Sequence, residues 1–106
     1  MDMKIDNLTV ERGNDYGHPI DHFTTTQGMW NIWLEKREKG KSLPQPLEYV
    51  LRHIAYLVLD KLARMAENPY KQDNFDDIQG YASLWKCSVD EHEKRNKRIQ
   101  LEDITD

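Results

Sequence analysis

The stretch from Asp60 to Tyr81 constrains the fold of this 106-residue chain more than any other. Lys61 and Arg64 lie near the end of one predicted helix, and a group of aspartates stands at the start of the next. Only a short connector that begins at Pro69 separates the two helices, and short connectors join antiparallel neighbours. The sequence therefore predicts a helical hairpin whose closed end holds two cations and up to four carboxylates.

Helical periodicity runs through the chain while strand signals are weak, so we predict an all-α fold. The expected structure is a compact bundle of three long helices behind a short N-terminal helix, and its third and fourth helices form the antiparallel hairpin. A single helical domain should span residues 1–98, and the acidic tail 99–106 should fray. The predicted helices cover Asn7–Arg12, Pro19–Lys39, Pro46–Asn68 and Asp73–Arg98.

Composition and charge narrow the function classes. A net charge of -4 argues against a general nucleic-acid binder, although a small basic pocket stays compatible with it. The polar N-terminus lacks the apolar region of a signal peptide, and the longest apolar run, Ile54–Leu59, is far too short to span a membrane. Together with the single cysteine, Cys87, these features predict a cytoplasmic protein without a membrane partner.

Helical phase sharpens the prediction for the charge cluster, because successive residues turn by about 100°. Lys61 falls between the apolar stripe of the third predicted helix and a polar line through Asp60 and Arg64. A lysine at the edge of a core needs an anionic partner or a route to water. Asp73 and Asp77 follow a line beside the stripe of the next helix, so we expect them to approach Lys61 and Arg64. The stripe of the second predicted helix is Ile20, Phe23, Trp30 and Leu34.

Two interpretations of this cluster stay open. In the first, the charges form a structural ion-pair network that fixes the register of the hairpin. In the second, the carboxylates of Asp60, Asp73 and Asp77 hold Mg²⁺, and Lys61 and Arg64 neutralise the phosphates of a bound nucleotide. Water activated on the metal could then hydrolyse that nucleotide, although the sequence assigns no catalytic residue.

A second polar segment lies between the first two predicted helices. Gly17 favours a positive φ or a close backbone approach there. Arg12, Tyr16 and His18 are candidates to contact a phosphate and a base, and Tyr81 would contact the base or shape the pocket from the hairpin. The alternative is a packed N-terminal turn in which Tyr16 serves as a hydrophobic plug.

Several aromatic side chains fall off the apolar stripes of their helices, namely Trp33, Tyr49 and Tyr56. Exposed aromatic residues are enriched at protein interfaces. A homo-oligomer is therefore expected.

The motifs E-R-G-N-D-Y-G-H-P, D-K-L-A-R and D-N-F-D-D-I-Q-G-Y-A carry a family resemblance. With Phe23 and Trp30 between the first two motifs, the chain resembles, from Val10 to Leu84, a family of small, uncharacterised helical domains from phages and prophages. That resemblance implies the cytoplasm of an infected or lysogenic bacterial host.

More distantly, the arrangement is similar to the MazG-like all-α nucleoside triphosphate pyrophosphohydrolases. Those enzymes hold Mg²⁺ with acids on adjacent helices and release pyrophosphate. Their E-x-x-E pair followed by E-x-x-D is not reproduced here. Glu35 and Glu38 have the first spacing but lie in the charged end of their helix, and only the Asp73, Asp76 and Asp77 group resembles the second half.

Two functions are consistent with these patterns. The first is a phage-type nucleotide-binding protein, with Mg²⁺-dependent pyrophosphohydrolysis as its candidate activity. The alternative is a non-catalytic phage accessory protein that binds a host protein through its acidic, aromatic surface, in which case the charge cluster only locks the hairpin.

Overall fold

The fold is all-α, as the sequence predicts. A computed structural model describes the backbone of residues 17–105 and the side chains as far as Ile99. This part of the chain contains three helices and no strand: α1 is Pro19–Glu38, α2 is Leu47–Glu67 and α3 is Gln72–Thr105. They correspond to the second, third and fourth predicted helices. The short helix expected at residues 7–12 lies outside the described residues, so only three of the four predicted helices are found.

Local sequence accounts for where the helices begin and end. His18 is the N-cap of α1, where its Nδ1 accepts a hydrogen bond from the backbone N–H of Ile20 at 3.1 Å, and Pro19 occupies the first turn. Asn68 closes α2 immediately before Pro69, which cannot continue the hydrogen-bond ladder. The last helix reaches Thr105 rather than ending near Arg98.

The three helices form an open layer with α2 in the middle. Helix α1 packs on one side of α2 and α3 packs on the other, and within the described residues α1 and α3 do not contact each other. The chain measures 63 × 30 × 28 Å, so the expectation of a compact bundle is wrong. Its long dimension follows from α3, whose 34 residues extend over about 51 Å at 1.5 Å per residue.

The apolar core lies between α2 and α3. Leu47, Leu51 and Ile54 are its buried members, and Val58, Tyr81, Trp85 and Val89 pack against them. Pairing of the start of α2 with the middle of α3 makes the two helices antiparallel, as the short connector predicts. The hairpin is therefore confirmed.

The face that α1 turns towards α2 differs from the prediction. Its buried residues are His22 and Thr26, whereas Ile20 and Phe23 of the predicted apolar stripe are 70% and 59% exposed. The first half of α1 is thus docked through polar side chains, whereas Trp30 and Leu34 of the predicted stripe are half-buried and Trp30 contacts Tyr56 of α2. None of the described helices is long and apolar enough to cross a membrane.

Candidate functional site

Asp60 is the centre of a polar cluster between α1 and α2. Its Oδ1 lies 2.9 Å from Nε2 of His22, which donates to the carboxylate, and 3.3 Å from the hydroxyl of Thr26. On the opposite side, Nε of Arg64 donates to Oδ2 of Asp60 at 3.1 Å, one turn along α2. The side chains of His22 and Asp60 are only 8% and 19% exposed, so the pair is largely shielded from water.

Lys61 follows Asp60 in sequence but turns towards α3. Its Nζ lies 2.7 Å from Oδ2 of Asp77. The lysine is 16% exposed and the aspartate 44%, so the cation is held close to the core while its partner reaches solvent. The predicted contact between Lys61 and Asp77 across the hairpin is present.

Two further residues of the predicted site lie on α3. Asp73 is exposed in the first turn of α3, and it lies inside the helix rather than at the cap because α3 begins at Gln72. Acidic side chains there complement the helix dipole. Tyr81 packs against the core between α2 and α3, so it forms a wall of the hairpin.

The three aspartates expected to share a metal ion are not gathered in one place. Asp60 is engaged by His22 and Arg64, and Asp77 by Lys61. Within the described part of the chain, no group of three or more His, Cys, Asp or Glu side chains could hold a metal ion. A cation at either aspartate would need further oxygen ligands from a bound molecule.

The turn before α1 has the backbone conformation that Gly17 predicts. Gly17 has a φ of 80°, and a Cβ built on it would lie 3.3 Å from Oε1 of Glu67 at the end of α2. The turn therefore brings the backbone close to α2, one helical turn beyond Arg64. His18 is exposed and caps α1 through its imidazole. Arg12 and Tyr16 lie outside the described residues.

A shallow polar cleft of about 180 Å³ opens beside this turn. Its walls come from the first two turns of α1 and the last two turns of α2, and His22 forms part of it. The cleft thus gives one edge of the polar cluster a route to solvent. Its lining consists of Asp21, His22, Thr25, Ala63, Ala66 and Glu67.

Four buried polar residues in the described part of the chain escaped the sequence prediction, namely His22, Thr26, Glu48 and Asn74. The i, i+4 spacing of His22 and Thr26 was the available signal for a shared face of α1. Asn74 is 1% exposed, and its Nδ2 has no hydrogen-bond partner among the described residues. An unsatisfied buried donor costs roughly 1–3 kcal/mol. Asn74 lies one turn before Asp77 on α3, so the unsatisfied donor is close to the ion pair of Lys61 and Asp77.

A second ion-pair network joins the far ends of α1 and α2. Arg37 donates from Nη2 and Nε to the two carboxylate oxygens of Glu48 at 2.8 and 3.1 Å, and Arg52 donates to Oε2 at 3.0 Å. The hydrogen bonds from Arg37 and then from Arg52 hold the pKa of Glu48 below its ordinary value. Because α1 meets α2 at His22–Asp60 and again at Arg37–Glu48, polar contacts fix both ends of this helix pair.

A family model described as domain of unknown function DUF6378 matches residues 4–88, and the chain belongs to that family. The match extends over all of α1 and α2 and the first half of α3, which includes both charge clusters. Neither the comparison with curated proteins nor that with solved structures gives a match.

Proposed function

We propose that this member of the DUF6378 family binds a nucleotide, or a similar phosphate ester. The site would consist of the polar cluster around Asp60, with His22 and Arg64, and of the neighbouring ion pair of Lys61 and Asp77. One observation carries the proposal. Helix α1 buries His22 and Thr26 against α2 while its own Ile20 and Phe23 remain exposed. A small domain has few core positions, and a polar choice there is a typical sign of a functional site.

The cations of the cluster suit a phosphate ligand. Lys61 and Arg64 are one turn apart on α2 and both are largely shielded from water, with 16% and 27% of their side chains exposed. In such surroundings a charge-assisted hydrogen bond to phosphate is stronger than at an open surface. A ligand phosphate would compete with Asp77 for Lys61, because Asp77 is the more exposed partner.

The remaining residues would position this phosphate. His22 and Thr26 hold Asp60, and Asp60 in turn orients the guanidinium of Arg64. The Gly17 turn would border the ligand, since it approaches α2 next to Glu67. The exposed imidazole of His18 would lie at the rim, and Tyr81 would support the pocket from the core side.

Asp77 is the residue that would bind Mg²⁺ and so allow hydrolysis of the nucleotide. Mg²⁺ commonly takes one or two carboxylates together with substrate phosphate oxygens. Asp77, released from Lys61 by the incoming phosphate, would supply such a carboxylate. When bound, the ion would polarise the phosphate, and pyrophosphohydrolysis of a nucleoside triphosphate is the activity to test first.

The experiment is a panel of nucleoside mono-, di- and triphosphates, each added with and without Mg²⁺. The readouts are thermal stabilisation of the protein and release of pyrophosphate. A ligand that binds only the folded state raises the melting temperature, and the rise grows with the logarithm of the ligand concentration divided by its Kd. No stabilisation by any nucleotide would refute the proposal.

Matched variants make the panel specific. Lys61→Met keeps the length of the side chain and removes its charge, so we expect affinity to fall roughly ten- to hundredfold. Lys39→Met is the control, since Lys39 makes an exposed pair with Glu35 at the other end of α1, and ligand affinity should not change. Equal affinities in the two variants would place the ligand elsewhere.

A second candidate function is binding of another protein, with the charge cluster serving only to lock the hairpin. It is favoured by Tyr70, which is 91% exposed in the connection between α2 and α3. Under this alternative Asp77→Asn lowers the melting temperature and no nucleotide shifts it. Under the first proposal Asp77→Asn removes the Mg²⁺-dependent part of the ligand response while the protein stays folded.

A further inference from the structure

Asn74 occupies the most buried position on α3. Only 1% of it is exposed, and no other described residue of α3 is buried to this degree. Within the described part of the chain its Nδ2 has no hydrogen-bond partner. Buried polar groups are almost always paired, so an unpaired one calls for an explanation. Packing does not supply it, because an apolar side chain of the same size would fill this position without an unsatisfied donor.

The register of the hairpin places this amide beside the two cations of the proposed site. Asn74 and Asp77 are three residues apart on α3, so both lie on the face that meets α2, where Asp77 contacts Lys61 at 2.7 Å. Because the helices are antiparallel, one turn back from Asp77 on α3 corresponds to one turn forward from Lys61 on α2, which is the level of Arg64. The amide of Asn74 therefore lies at the height of Lys61 and Arg64 along the hairpin.

The groups at this level share one hydrogen-bonding sense. An ammonium and a guanidinium can only donate, and the unpaired Nδ2 of Asn74 also donates. A ligand that satisfies the amide must therefore bring an acceptor. A water molecule would do so but would leave Lys61 with Asp77. A phosphate group has several strong acceptor oxygens, so it can accept from Lys61 and from Asn74 at the same time.

We propose that Asn74 is a phosphate-binding residue whose Nδ2 donates to an oxygen of the phosphate that replaces Asp77 at Lys61. The inference rests on the proposed function and assigns the phosphate to the junction of α2 and α3. Asp77, with 44% of its side chain exposed, would turn towards water and so uncover the amide. The cations would supply the attraction, and the neutral amide would recognise the position of one oxygen. Such a bond to an anion is strong in surroundings shielded from water.

The test is calorimetric titration of the full chain with inorganic pyrophosphate and with ATP, both without Mg²⁺. Asn74→Leu keeps the volume of the side chain and removes the donor, so the Kd should rise roughly ten- to hundredfold. Asn74→Asp keeps the shape but places a carboxylate beside the phosphate, and it should weaken binding further. The matched control is Asn96→Leu, the same change at an exposed position of the same helix, which should leave the Kd unchanged. Circular dichroism checks that each variant keeps its helical content.

Salt dependence separates a direct contact from an effect through Lys61. Because the amide is neutral, the loss in Asn74→Leu should be the same factor at low and high ionic strength, whereas the loss in Lys61→Met should shrink as salt screens the charge. A loss in Asn74→Leu that also shrinks with salt would overturn the direct contact.

The two proposals fail in different ways. Equal affinities of the wild type and Asn74→Leu overturn the role of Asn74 and leave nucleotide binding in place, with an ordered water as the partner of the amide. A wild-type chain that binds neither pyrophosphate nor ATP also overturns the role of Asn74, and the full nucleotide panel then decides the proposed function.

Discussion

Nε2 of His22 on α1 donates a hydrogen bond to Oδ1 of Asp60 on α2 across 2.9 Å. This pair joins two helices where the sequence favours an apolar contact. It sets the rotation of α1 about its axis, because His22 can reach Asp60 only if Ile20 and Phe23 turn away from α2. The polar cluster and the exposed apolar side chains are thus two results of one docking geometry.

The first prediction concerns Asp60. Asp60→Ala removes the acceptor for His22, Thr26 and Arg64 and leaves an arginine and a histidine without their carboxylate. We expect the free energy of unfolding to fall by about 3 kcal/mol, since breaking one side of a buried ion pair strands the other. Urea denaturation followed by circular dichroism measures it.

Two comparisons test the cause of that loss. Asp60→Asn keeps an oxygen acceptor and the side-chain volume, so its effect should be smaller than that of Asp60→Ala. Asp90→Ala removes an exposed aspartate of α3 and should stay within about 0.5 kcal/mol of the wild type. Equal losses in Asp60→Ala and Asp90→Ala would contradict the assignment of the cluster to the junction of α1 and α2.

The second prediction concerns pH and Glu48. Arg37 and Arg52 lower the pKa of Glu48 from its ordinary value of 4.5 in the folded chain. The carboxylate therefore stabilises the fold fully above pH 4.5, and this contribution disappears as the pH falls through the lower folded-state pKa.

The measurement is the difference in unfolding free energy between wild type and Glu48→Gln in a pH series. The wild type should be the more stable at neutral pH, and the difference should shrink in acid. A difference that grows with acidity would reverse the sign of the linkage.

The hairpin could be predicted from sequence because both of its helices obey the same rule. Leu51 and Ile54 on α2 and Trp85 on α3 lie on regular apolar stripes, and the connector is too short for anything but an antiparallel turn. Once the two stripes face each other, the edge positions follow. Helical phase therefore placed Lys61 opposite Asp77 correctly, and the 2.7 Å contact confirms it.

The orientation of α1 could not be predicted in the same way. Hydrophobic periodicity assumes that every apolar stripe is covered within the chain, and here Ile20 and Phe23 are not. Its actual face is set by polar partners that come from distant parts of the chain, Asp60 for His22 and Glu48 for Arg37. Periodicity carries no information about which carboxylate a histidine will meet 38 positions later.

The third prediction concerns Gly17, whose φ of 80° is strained for any residue with a Cβ. Gly17→Ala should lower stability by about 1–2 kcal/mol, because a Cβ at this position also lies 3.3 Å from Oε1 of Glu67. Gly28→Ala is the matched control. Gly28 lies inside α1 with open space around its Cβ position, so alanine there should raise stability by about 1 kcal/mol. Thermal unfolding of the two variants should shift in opposite directions, and a shift in the same direction would contradict the strained turn.

The fourth prediction concerns Asn74, whose buried amide nitrogen has no partner among the described residues. Asn74→Leu replaces this group by an apolar side chain of similar size. Removing an unsatisfied donor should raise the free energy of unfolding by about 1 kcal/mol.

The same variant separates two roles of Asn74, because this residue lies one turn from Asp77. If the amide serves only packing, Asn74→Leu gains stability and retains any nucleotide response. If the amide donates to a ligand, Asn74→Leu loses the nucleotide response, as Lys61→Met does. Urea denaturation, carried out in parallel with the nucleotide panel, distinguishes these two roles of Asn74. A loss of stability without ligand would instead show that Asn74 has a partner in the folded chain.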